Sequence, residues 1–187
     1  LLTRWDRVVE GHQQLQSWLQ RWKFLCQHKA DFVEVEIPLQ AVLEMAAYGR
    51  VSMAEVLAQD LVSFLESALD RMLVKQIGEQ APDKFLAPSG VAHAIDYSEQ
   101  HSAFVDVRLQ EIFGLLETPR LAWGQVPLTF RLLGPNFRPV QVTSDLASFW
   151  RTGYLEVRKE LRTRYPKHSW PEDPYSAKPE AKGRRRT

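Results

Sequence analysis

Apolar positions recur at helical spacing through the first part of the chain and switch to alternation after Lys84. Trp5, Val8, Leu15, Trp18, Trp22 and Leu25 stand three, four or seven apart, which predicts one amphipathic helix from about Thr3 to His28 with its tryptophans turned to the core. Residues 31–36 read as a short loop. Pro38 suits the first turn of a helix, where a missing N–H costs nothing, and that helix ends at Gly49. Ser52 followed by Glu55 is a capping-box pattern opening a short helix. A longer helix is predicted from Asp60 to Gln80, closed by Pro82.

Beyond Lys84 the period becomes two. Gly90–Tyr97 and Ala103–Leu109 read as one antiparallel hairpin, and Val126–Leu133 with Arg138–Val142 as a second, turned by Gly134, Pro135 and Asn136. A last helix starts at a Thr143/Ser144 cap with Asp145 at its positive end, and carries Leu146, Phe149, Trp150, Tyr154, Val157 and Leu161 on one face. Pro166 ends it, and the proline-rich run to Pro174 should lie extended on a surface. From Ser176 only small, charged and proline residues remain, which predicts disorder. The fold class is therefore α+β: N-terminal helices, a small antiparallel sheet of about four strands, then a long C-terminal helix with an extended tail.

Composition adds limits. The chain has 187 residues, 44% hydrophobic and 25% charged, enough for one or two packed domains. One cysteine, Cys26, excludes an internal disulfide and a Cys-based zinc site and fits a reducing compartment. No apolar run is long enough to span a membrane and no signal peptide is visible, so a cytoplasmic location is expected. A first residue of Leu rather than Met points to a fragment or a processed product.

Charge is uneven. Residues 145–187 hold 11 Lys/Arg against 6 Asp/Glu, a net of +5, and the remainder 13 against 17, a net of −4. A basic end on an acidic body suggests an anionic partner there, although a solubilising tail would look the same. No phosphate-cradling glycine loop, dinucleotide fingerprint, zinc-helix motif or nucleophile elbow occurs. An acid–base site would need Asp96, Asp106 and His93 or His101 to converge. The candidates for contact with nucleic acid are Arg151, Arg158, Lys159, Arg162, Arg164, Lys167, His168 and Trp170. Cations neutralise phosphates and rings stack on unpaired bases. Trp170 could equally anchor the proline-rich run against the body.

The runs Arg138–Trp150 and Arg164–Pro174, the segment Ala87–Gly90, the segment Val107–Gly114 and the segment Gly124–Leu128 together resemble the C-terminal region of the bacterial HrpB proteins, DEAH-type ATP-dependent RNA helicases. The likeness covers about Asp60–Pro174 in order. It implies a helical connector at 1–50 and a family-type α+β domain at 51–174, beyond which composition leaves a disordered basic tail at 175–187. It also implies a parent that hydrolyses ATP with Mg on an upstream motor, acts on RNA, and offers its own helicase core as a partner to this region. None of the family's catalytic positions is carried over. The region is expected to hold or position single-stranded RNA, or alternatively to act as a protein-interaction module packing on the helicase core.

Overall fold

A computed structural model describes residues 4–181, with side chains from Asp6 onward. The chain forms two compact units that divide between Asp83 and Lys84, where the hydrophobic period changes.

The first unit is helical: α1 (Arg4–Gly11), α2 (Gln13–Cys26), α3 (Ala30–Val33), α4 (Leu39–Ala47), α5 (Met53–Leu57), α6 (Leu61–Ser67) and α7 (Arg71–Gln80). The single helix expected over residues 3–28 is broken at His12. Its backbone is extended, and its Nδ1 accepts the Leu15 N–H at 3.1 Å, so an imidazole caps α2 where Ser, Thr, Asp or Asn would ordinarily signal a start. The helix expected over 60–80 is likewise two, because Asp70 leaves helical geometry and accepts the N–H groups of Met72 and Leu73. The loop at 31–36 contains the short α3. Ser52 caps α5 as expected, and Glu55 reaches back to the N–H of Val51, one residue beyond the usual box. Trp18, Trp22, Leu15, Leu25, Leu43, Leu61 and Leu65 fill the core. Trp18 stacks on Trp22 with ring centres 6.2 Å apart, and its N–H is satisfied by Glu66 at 2.9 Å. Trp5 of the predicted stripe lies outside the described side chains.

The second unit is built on a sheet of five strands in the order β1-β2-β3-β6-β7: β1 (Lys84–Leu86), β2 (Ala92–Asp96), β3 (Phe104–Arg108), β6 (Thr129–Leu133) and β7 (Pro139–Thr143). A separate ribbon pairs β4 (Arg120–Leu121) with β5 (Val126–Pro127). Both expected hairpins form, with Ile95 opposite Val105 and Arg131 opposite Val142, but the strand expected over 126–133 is split, Val126–Pro127 pairing with β4 instead. The sheet is mixed rather than antiparallel throughout, because β3 and β6 join the two hairpins in parallel from Phe104↔Thr129 to Arg108↔Leu133. Alternation along a strand specifies its faces but not its neighbour, so this junction is not visible in the pattern.

Val105, Val107, Phe130 and Leu132 point inward. The C-terminal helix supplies much of the remaining core: α8 (Leu146–Ser148) runs through a π-turn at Phe149–Gly153 into α9 (Tyr154–Arg164). Asp145, rather than the expected Thr143 or Ser144, caps it by accepting the Ser148 N–H at 2.9 Å, since its backbone is the last extended one before the helix. Phe113, Phe149, Trp150 and Tyr154 form one aromatic cluster, with the Trp150 N–H donated to Leu115 O at 2.7 Å. After α9 the chain crosses back over its own unit. Gly114 N–H donates to Pro174 O at 3.0 Å and Glu180 N–H to Gln110 O at 2.9 Å. Residues 176–181, for which composition predicts disorder, thus follow a defined path, because small residues let the backbone approach and bond. Lys182–Thr187 lie outside the described residues.

Candidate nucleic-acid interface

The eight cations and rings singled out in the sequence separate into three groups. Arg151, Lys159, Arg162 and Lys167 are exposed, and among the described residues none of them has a carboxylate within ion-pairing distance. Arg158 and Arg164 are committed. Arg158 donates through Nε to Trp170 O at 3.0 Å and through Nη2 to Glu172 at 3.1 Å, while Arg164 pairs with Glu160 at 3.5 Å one turn back. Trp170 is only 8% exposed, and its ring N–H donates to Tyr165 O at 2.8 Å. It is therefore an anchor for the extended run and not an open stacking surface, because a ring enclosed on its faces has none to offer a base. His168 is half-buried, with its ring 6.4 Å from that of Trp170 and 6.1 Å from that of Tyr165.

Arg158 and Arg162, one helical turn apart, form one wall of a cleft of about 510 Å³ closed by Pro166, His168, Ser169 and Glu172. Tyr154 lies beneath, fully buried, and donates its hydroxyl to Pro171 O at 2.8 Å. Burial pushes that hydroxyl well above the ordinary phenol range, despite the nearby Arg158 charge. A raised folded-state value means stability is full below about pH 10, where unfolded tyrosine titrates, and falls as pH rises beyond it. Tyr154→Phe is expected to flatten the alkaline limb of a stability–pH profile, read by urea unfolding between pH 8 and pH 11, at a cost of about 1 kcal/mol at neutral pH for the lost hydrogen bond.

Two of the groups considered for acid–base chemistry are drawn together by a cation. Asp96 and Asp106 flank Arg131 at 3.4 and 3.8 Å, with Glu99 on the same guanidinium at 3.4 Å. Partial burial pushes Asp96 up, but hydrogen bonds from Ser98 and the Arg131 charge together hold it below the ordinary carboxylate range. His93 is engaged elsewhere, by Glu111.

That contact belongs to a feature the sequence analysis missed. Glu111 is 2% exposed and sits between His93 and Arg108, whose Nε donates to it at 2.6 Å. Arg108 also donates to the carbonyl of Ala181, which ties the returning tail to this buried group. The Glu111 carbonyl accepts the Ser89 N–H at 3.2 Å, so two of the segments that carry the family resemblance meet here. The only signal in the sequence was the i, i+3 spacing of Arg108 and Glu111.

Among the described residues no three His, Cys, Asp or Glu side chains are grouped to hold a metal ion, and no helix is long and apolar enough to cross a membrane.

Comparisons place the chain. The family model described as the ATP-dependent helicase C-terminal, HrpB_C, matches residues 42–174. The chain is 41% identical over 120 residues to the ATP-dependent RNA helicase HrpB of Escherichia coli K12, a match covering 64% of this chain and 15% of that protein. It is similar to the crystal structure of the E. coli DExH-box NTPase HrpB, with a TM-score of 0.72 and 35% identity, covering 87% of this chain and 21% of that one. A second crystal structure, of the Escherichia coli DEAH/RHA helicase HrpB, gives 0.59 and 33%, covering 83% and 21%. The matched part of the chain thus corresponds to about a fifth or less of the length of these relatives. With the family model matching well over half of its residues, this chain belongs to the HrpB-type ATP-dependent helicase C-terminal family.

Proposed function

We propose that this chain is the non-motor part of a cytoplasmic HrpB-like helicase and that its second unit contacts single-stranded RNA through the outer face of the C-terminal helix. The observation that carries this reading is the set of exposed cations with no carboxylate at ion-pairing distance among the described residues: Arg151, Lys159 and Arg162 on a helix whose other face is locked into the core, and Lys167 just beyond its end. A rigid row of cations tracks a phosphate backbone without reading its sequence, and binding then releases counterions. ATP hydrolysis and Mg²⁺ belong, in this proposal, to the upstream motor. The residues of this chain do not fit that group, so no step through it is assigned to them.

The test is binding of the 187-residue chain to a single-stranded oligouridylate at several salt concentrations. Replacing Arg151, Lys159 and Arg162 together by Gln is expected to weaken binding and to flatten the slope of log K against log salt by about 2, at roughly 0.7 per phosphate contact. A slope unchanged by the triple substitution would remove the reading.

The first unit supports a second role. Tyr48 and Val51 are 88% and 92% exposed, and a groove of about 1000 Å³ runs past Ile37, Leu39, Leu69 and Met72. Apolar surface of this kind suits packing on the helicase core. Absence of RNA binding together with tight association with that core would favour this role for the whole chain.

A further inference from the structure

We infer that Phe137, at the tip of the β6–β7 hairpin, is a stacking platform for an unpaired base of the strand held by the C-terminal helix. This inference rests on the RNA-contact reading above and assigns that strand a second point of contact.

Three observations lead to it. Phe137 is 67% exposed, more than any other Phe, Tyr or Trp among the described residues of its unit, and its φ of +61° is a left-handed backbone that bulky residues rarely adopt. A turn that needs only to reverse the chain would place Gly or Asn there. The ring is also held in place. Arg108 lies over one face, 5.6 Å from its centre, and the ion pair with Glu111 fixes that guanidinium in turn. With a largely enclosed cation over one face, the exposure of Phe137 falls mainly on the other.

The turn itself is firmly closed. Gly134 N–H donates to Arg138 O at 2.9 Å, Phe137 N–H to Gly134 O at 3.0 Å, and Arg138 N–H to Asn136 Oδ1 at 3.3 Å. A slip in pairing between Leu132 and Leu133 bends the hairpin just before it.

The third observation is position. A Cβ on Gly134 would lie 3.7 Å from Leu161 of α9, so the turn is seated on the helix that carries Lys159 and Arg162. In the proposed path the strand runs from those cations over the turn to the ring. Arg138, exposed beside Phe137, adds a charge for the next phosphate. Trp170, the ring that the sequence offered for stacking, is enclosed, and Phe137 supplies the open face instead.

The test uses the 187-residue chain and an oligouridylate carrying one central 2-aminopurine, whose fluorescence is quenched on stacking. Phe137→Asn removes the ring and tolerates the positive φ, so the turn should keep its shape, which is checked by an unchanged or raised melting temperature. It is expected to lose the quenching and to weaken binding about tenfold, as for one stacked base, with the salt slope unchanged. Phe137→Trp is expected to retain both. Quenching and affinity equal to the unsubstituted chain in Phe137→Asn would overturn the inference while leaving the RNA-contact reading intact. Failure of the unsubstituted chain to bind would overturn both.

Discussion

Replacing Trp170 by Ala is expected to lower the stability of the second unit by about 3–5 kcal/mol, the range for emptying a buried aromatic site. The ring is 8% exposed and lies where the extended run re-enters its unit, and the backbone around it does as much as the ring. Its own carbonyl accepts from Arg158, and its N–H satisfies the carbonyl of Tyr165 at the end of α9. Truncation leaves a cavity that Pro166 and Pro171 are too rigid to refill. Trp170→Phe separates the two contributions, since it keeps most of the volume and forfeits the hydrogen bond for about 1 kcal/mol. Urea unfolding monitored by near-ultraviolet dichroism provides the measurement. A loss below about 1 kcal/mol for the alanine variant would mean that the ring anchors nothing.

Glu111→Ala is expected to cost a comparable 3–5 kcal/mol for a different reason. Here the penalty comes from the partner left behind, because the Arg108 side chain is only 15% exposed and would keep its charge without a counter-ion. The distinguishing experiment is the double substitution Arg108→Met with Glu111→Leu. It removes both charges and fills similar volume, so it should recover most of the loss. If the double variant is as unstable as the single one, the pair is not what holds this corner together. Arg108 also bonds the Ala181 carbonyl, so Glu111→Ala should in addition speed amide exchange near Glu180.

Much of the architecture could be read from residues whose chemistry is local. The Ser52 cap and the turn at Gly134–Asn136 each act within a few positions and do what their types predict, and the last helix starts where expected although Asp145 takes the capping role expected of Thr143 or Ser144. The failures share a cause. His12 ends one helix and caps the next through a ring nitrogen whose other side bonds Gln59 O, 47 residues away, so its role depends on a distant partner. The parallel pairing of β3 with β6 is likewise a matter of which edge is free after folding.

The interface was legible in part. The charges on the last helix could be counted, but not which of them a carboxylate would claim. Glu172 claims Arg158 from fourteen residues on, across the proline-rich turn. Trp170 carried two readings until its burial chose between them, and Phe137 drew no notice because nothing in its neighbourhood of sequence places Arg108 against it.

The parallel junction also sets an order of events during synthesis. Between Arg108 at the end of β3 and Thr129 at the start of β6 lie the 20 residues 109–128. At about 5–20 residues per second, β3 waits roughly 1–4 s for its neighbour. Through that interval Phe104, Val105 and Val107 stand on an open edge that another nascent chain could cap. Asp106 and Arg108, placed among them, are charges of the kind that discourage such trespass.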